Sequence, residues 1–236
     1  MHGGVSPAID LSTTFKQHSA SNYASAYIYQ RTGNPTVNCL QRNLAALEQS
    51  KYALALCSGM GAIVTALSLL KQEDHLIAID DVYGGTQRYL REIFTPASGI
   101  AWDMIDFSNM NNLKKAIKKN TKMVWLESPT NPTLKCADIK AVGDICKKHN
   151  IILVIDNTFM SPYLQNPLKL GATIVMHSIT KYIGGHSDVL GGGLMLDDEV
   201  LYDKLFFSMK SMGVQMAPFD AWVALRGSKT IELRVK

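Results

Sequence analysis

A chain of 236 residues with 47% hydrophobic and 19% charged positions can bury a large core, and it carries too little charge for a disordered protein. Its net charge of +4, from 24 Lys plus Arg against 20 Asp plus Glu, is a thin margin for nucleic-acid binding. No apolar stretch reaches the roughly 20 residues of a membrane span, and Met1-His2-Gly3-Gly4 has neither the basic nor the apolar region of a secretory leader. The expectation is a soluble, reduced, cytoplasmic chain that binds neither nucleic acid nor membrane.

Residues 1–36 are polar, with little periodicity, and read as an extended arm. From Val37 to Gln49 the apolar residues Leu40, Leu44 and Leu47 recur at helical spacing. Strand-like runs then alternate with helical stretches. The runs are Tyr52–Cys57, His75–Asp80, Ile100–Ile105, Lys122–Glu127, Ile151–Asp156 and Ala172–His177, with Gly191–Leu196 last. The helical stretches include Gly59–Leu70, Met110–Lys119 and Ile139–Lys148. This alternation predicts βαβ units and a mostly parallel, mixed sheet of about seven strands, buried on both faces. Residues 37–236 form its domain. The last stretch, Arg226 to Lys236, follows a helix without a closing element and reads as a cut at a domain boundary.

Lys114, Lys115, Lys118 and Lys119 are the one dense basic cluster, spaced like the solvated face of a helix. Cys39, Cys57, Cys136 and Cys146 show no metal-ligand spacing, so no metal is expected, and Cys57 reads as a core thiol.

Ligands on such sheets sit at the carboxyl ends of the strands, so the residues after each strand matter most. Ser58-Gly59-Met60 opens a helix, whose backbone N–H groups suit a phosphate. Asp156 closes an all-apolar strand, where a carboxylate is costly unless it meets a cation or donors; capping the next helix is its alternative role. Lys181 follows the next strand among small hydroxyls, Ser178 and Thr180, which suggests a partly buried, nucleophilic amine. Tyr83 suits stacking on a planar ring, or a half-buried aromatic. A lysine, a carboxylate one strand earlier and flanking hydroxyls together match what pyridoxal phosphate chemistry requires.

Five motifs carry a resemblance: Tyr29-Gln30-Arg31-Thr32-Gly33-Asn34-Pro35-Thr36, Asp81-Val82-Tyr83-Gly84-Gly85-Thr86, Glu127-Ser128-Pro129-Thr130-Asn131-Pro132, Asp156-Asn157-Thr158-Phe159 and Ser178-Ile179-Thr180-Lys181-Tyr182. Through them the chain resembles the Cys/Met-metabolism family of pyridoxal phosphate enzymes, from Ile9 to Lys236. The resemblance implies a type I, aspartate aminotransferase-like large domain without the smaller C-terminal domain. It implies that Lys181 carries the cofactor as an imine, that Asp156 pairs with its ring nitrogen, and that Gly59, Met60, Ser178 and Thr180 hold its phosphate. Tyr83 would stack on the ring and Asn131 contact its phenolic oxygen. Tyr29 and Arg31 match residues that reach a neighbouring subunit's phosphate, making the active unit a dimer within a homotetramer. Arg31, Tyr83 and Arg88 match substrate-proximal positions.

The implied activity is carbon–sulfur bond cleavage in trans-sulfuration: elimination at the γ-carbon of L-cystathionine, giving cysteine, 2-oxobutanoate and ammonia. The synthase and β-lyase reactions of the family stand as alternatives. So does a catalytically impaired subunit, because the missing domain carries the family's arginine for the substrate α-carboxylate.

Overall fold

The computed structural model describes residues 4–236. The arm contributes a small hairpin, β1 (Gln17–Ser19) with β2 (Asn22–Tyr23), and a 3-10 turn at Gln30–Thr32. Helix α1 (Pro35–Glu48) follows, then β3 (Tyr52–Leu56), α2 (Gly59–Leu67), β4 (His75–Ile79) and α3 (Gly84–Tyr89). A π-helical turn at Leu90–Phe94 runs into α4 (Thr95–Ser98). Next come β5 (Ala101–Ile105), α5 (Met110–Ala116), β6 (Thr121–Glu127), α6 (Ile139–Lys148), β7 (Ile152–Asp156), α7 (Ser161–Leu164) and β8 (Ile174–Ser178). The chain closes with β9 (Gly192–Leu196), α8 (Glu199–Met212), α9 (Pro218–Ser228) and α10 (Ile231–Val235).

The seven main strands form one sheet in the order β3-β9-β8-β7-β6-β4-β5. β9 alone runs against its neighbours, so β3, β4, β6, β7 and β8 all end at one edge. Apart from the edge strand β5, the strands are apolar on both faces because both are covered. One face packs against α2, α6 and α8 through residues such as Ile63, Leu67, Val142 and Leu205. The other packs against α1 and α9 through Leu40, Leu44, Ala221 and Ala224.

Local chemistry sets the helix starts. Asn34, wholly buried, accepts from the N–H groups of Thr36 (2.9 Å) and Val37 (3.3 Å), with Pro35 in the first helical turn. Ser58 caps α2 in the same way, accepting from Gly61 N at 3.0 Å. The α2 start presses against the sheet only because β9 carries glycine: a Cβ at Gly192 would stand 2.1 Å from the Ser58 carbonyl.

Each expected main strand exists. α1 begins at Pro35, inside the expected arm, and α2 and α5 stop three residues early. Because α5 ends at Ala116, Lys118 and Lys119 do not share a helix face with Lys114 and Lys115. Lys118 instead ion-pairs with Asp103 at 2.6 Å. Cys57 is exposed rather than a core thiol, since β3 ends one residue before it. Cys146 is the buried cysteine, and burial pushes its thiol up to about 12.

Candidate active site

A cavity of about 1030 Å³ opens at the carboxyl edge of the sheet. It gathers Gly59, Met60, Tyr83, Asn131, Asp156, Ser178, Thr180 and Lys181 with Ser58, Glu127 and Thr158. These residues come from five separate segments, which meet because their strands end at one edge. Tyr29, Arg31 and Arg88 do not line it. Arg88 is exposed on α3. Arg31 donates to the Lys210 carbonyl at 2.6 Å, with its guanidinium 5.4 Å from the Tyr29 ring centre.

At one end of the cavity is the amino terminus of α2. Ser58 satisfies Gly61 N, leaving the Gly59 and Met60 N–H groups at the positive end of the helix. A Cβ at Gly59 would stand 3.1 Å from the Ser178 side chain, so the glycine brings this terminus close to a hydroxyl. Thr180 Oγ1 accepts from Gly191 N at 3.1 Å, which ties the Lys181 turn to the start of β9.

The floor is a pair of adjacent carboxyls. Glu127 and Asp156 are register partners on β6 and β7, and side chains at paired positions share a face. Glu127 is nearly fully buried and accepts from Tyr83 N at 2.8 Å. Burial, and then the Asp156 charge, push Glu127 well above the usual carboxylate range. Burial also raises Asp156, against the pull of the Thr158 hydroxyl and N–H (3.0 Å) and of His177. Neither carboxyl has a salt-bridge partner among the described residues. The opposite sheet face braces this floor: Glu48 on α1 binds His177 Nε2 and accepts from Asn157 Nδ2 at 2.9 Å.

Lys181 is exposed, where a partly buried amine was expected, and enters no salt bridge among the described residues. Its turn leaves β8 at the cavity, which the residue lines. Tyr83 is 45% exposed, and its ring lies against Gly85, where a Cβ would stand 2.4 Å from it.

The role of Thr158 is not legible in the sequence. It accepts from Ser178 N at 2.8 Å and so joins the ends of β7 and β8. Arg234 also lines the cavity, and nothing in its sequence context marks it.

The donor set suits a planar molecule with an anionic group for the α2 terminus, a protonated ring nitrogen for Asp156 and a carbonyl for Lys181. The chain belongs to the family of Cys/Met metabolism PLP-dependent enzymes, whose model matches residues 1–236. The cofactor of that family, pyridoxal phosphate, has those three features. "Putative cystathionine gamma-lyase 2" of Caenorhabditis elegans is 49% identical over 98% of this chain and 59% of its own length. "Cystathionine gamma-lyase" of Saccharomyces cerevisiae is 49% identical over 100% of the chain and 60% of its own. The crystal structure of metB from Corynebacterium glutamicum superposes with a TM-score of 0.96 at 45% identity, covering 98% of this chain and 60% of that one. The chain thus spans about 60% of the length of these relatives.

Proposed function

We propose that the protein of which this chain forms the large domain is a pyridoxal phosphate-dependent cystathionine γ-lyase. L-cystathionine and water would give cysteine, 2-oxobutanoate and ammonia. The observation that carries the reading is the convergence of Lys181, Asp156 and the α2 terminus on one cavity edge.

The bound cofactor would supply an electron sink conjugated to the substrate Cα. Gly59 and Met60 N–H groups, with the Ser178 and Thr180 hydroxyls, would hold its phosphate. Asp156, without a cation of its own, would accept from the ring nitrogen and keep it protonated. That pairing would also return the Asp156 carboxyl to its charged form. Tyr83 would stack on the ring, and Asn131 would meet its phenolic oxygen. Lys181 Nζ would hold the cofactor carbon until substrate amine displaces it. The freed amine would then take one proton from Cα and one from Cβ, of which one goes to the departing sulfur and the other to Cγ, with Tyr83 assisting.

Arg31 and Arg88 lie outside the cavity of their own subunit. Arg31 with Tyr29 would serve the site of a neighbouring subunit, in a dimer of dimers, and Arg88 would stand toward the substrate. No helix among the described residues is long and apolar enough to cross a membrane. A cytoplasmic enzyme of amino-acid biosynthesis is the setting we assign.

The test combines labelling with turnover. Borohydride reduction of the chain with pyridoxal phosphate is expected to fix the cofactor on Lys181, and Lys181→Ala to abolish it. The protein extended by its C-terminal part is expected to release 2-oxobutanoate from L-cystathionine alone. Release only when cysteine is supplied with an activated homoserine would instead mark the synthase reaction. A fixed adduct on another lysine would overturn the site.

A further inference from the structure

The turn that carries Lys181 is held from outside the sheet. Within it, Gly184 N donates to the Ile179 carbonyl and Gly185 N to the Lys181 carbonyl, each at 2.8 Å. The next two carbonyls, of Tyr182 and Ile183, are met by one side chain from the far end of the chain. Arg234, on α10, donates from Nη1 to Tyr182 O at 2.7 Å and from Nη2 to Ile183 O at 3.5 Å. The same Nη2 donates to Gly227 O at 2.8 Å, and Nε donates to Thr230 Oγ1 at 3.0 Å. The guanidinium therefore bridges the Lys181 turn and the junction of α9 with α10. It has no carboxylate partner among the described residues, so its hydrogen bonds go to backbone and one hydroxyl.

The surroundings are shaped to admit it. Gly185 has φ +72°, and a Cβ there would stand 2.0 Å from Arg234 Nη1. A Cβ at Gly227 would stand 2.0 Å from the Gly184 carbonyl, so α9 packs directly on the turn. A planar fork spreads its donors over three nitrogens and so meets all four acceptors; an ammonium presents its three donors from a single point.

We propose that Arg234 is a positioning residue for Lys181. By tying two carbonyls of the lysine turn to α10, it fixes the direction in which the lysine leaves β8. This rests on the reading that Lys181 holds pyridoxal phosphate.

The test compares the full chain with Arg234→Lys, which keeps the charge and a stem of similar length, and Thr230→Val, which removes the hydroxyl's bonds to Nε and to the Gly227 carbonyl while leaving the guanidinium on the turn. Hydrogen exchange of the cofactor-free chain reads the turn itself. Arg234→Lys is expected to speed exchange of the Gly184 and Gly185 amides about tenfold, with β7 and β8 unchanged and Thr230→Val near the parent. Titration with pyridoxal phosphate, followed by its visible band, is expected to show affinity falling about tenfold and the pH midpoint of the band shifting. Unchanged exchange and affinity in Arg234→Lys would overturn the proposal. So would exchange that rises equally throughout the sheet, which marks general loosening. If borohydride fixes the parent's cofactor on another lysine, the reading of Lys181 fails and positioning for the cofactor falls with it. The exchange measurement would still report whether Arg234 holds the turn.

Discussion

The two ends of the main sheet bury polar and charged groups in opposite ways. At the amino end of β4, His75 is wholly buried, with Nδ1 2.9 Å from Thr121 Oγ1 and Nε2 3.2 Å from both Asp103 and Lys118. Lys118 and Asp103 pair at 2.6 Å and reach solvent, so each member of the cluster has a partner. At the carboxyl end, Glu127 and Asp156 lie side by side with backbone N–H groups and the Thr158 hydroxyl but no salt-bridge partner among the described residues, Lys181 included. Buried carboxyls are normally paired within the fold, so an end that leaves two of them without a cation is shaped for something the chain does not supply. The amino end is structure; the carboxyl end is a site.

Substitutions at the two ends should therefore differ in kind. The largest effect is expected from Asp156→Asn, which keeps shape but removes the charge proposed to face the ring nitrogen. Turnover of the extended, cofactor-loaded protein should fall by at least about 3 kcal/mol in the barrier, roughly a hundredfold. Thermal unfolding of the cofactor-free chain should move little or upward, since an uncompensated buried carboxyl is gone. A large drop in melting temperature with normal turnover would return Asp156 to a capping role.

His75→Leu should give the converse. Removing the imidazole from Thr121, which keeps only its bond from Lys118 N, and breaking the buried cluster should cost about 2 kcal/mol in denaturant unfolding, while affinity for pyridoxal phosphate stays the same. A weaker affinity would show that the two ends are coupled.

Protonation sharpens the contrast, because the ends set opposite limbs of the stability profile. Burial, and then the Lys118 charge, hold His75 below its usual value of 6.5, so the fold keeps it neutral. Stability from that end is present above about pH 6.5 and is lost as pH falls below it. Glu127 is raised from 4.5 to about 9, so its contribution is present at acid pH and is lost as pH climbs between those values. Glu127→Gln keeps an acceptor for Tyr83 N and should flatten the alkaline limb. At pH 8 the cofactor-free variant should gain at least about 1.4 kcal/mol, the equivalent of one pH unit. Equal alkaline slopes in both proteins would remove Glu127 as the cause. The smallest effect is expected from Lys118→Met. Its pair with Asp103 is nearly half exposed on both sides, so the loss should stay under about 1 kcal/mol and shrink further in salt.

The sheet was legible because the runs of five to seven residues that become its strands are mostly apolar and, apart from the edge strand β5, buried, between stretches of helical pattern. The hairpin of β1 and β2 was not, since strands of three and two exposed polar residues leave no periodic trace. At the site, Asp156 and Lys181 could be picked out because a carboxylate and an amine directly after apolar strands are anomalous. The exposure of Lys181 depends on which way its turn faces, which only the packing of α9 and α10 decides. Thr158 was hidden because its partner, Ser178 N, lies on the next strand. Arg234 was hidden because it recognises backbone carbonyls, which every residue has.

The root of the arm has a consequence for how the molecule can change. Asn34 Nδ2 donates to the Asp10 carbonyl at 2.9 Å, and Asp10 N donates to Thr36 Oγ1 at 2.9 Å. Trp222 Nε1 holds the Pro7 carbonyl at 3.0 Å. The segment between Asp10 and Asn34 is thus a loop clipped shut at its base, separated by 24 positions in the chain. Closing such a loop costs only about 1.4 kcal/mol more than closing one of five residues. Residues can be inserted or removed between the clip and Tyr29 with little penalty to the sheet below, so the reach of Tyr29 and Arg31 can be tuned without rebuilding the fold that holds them.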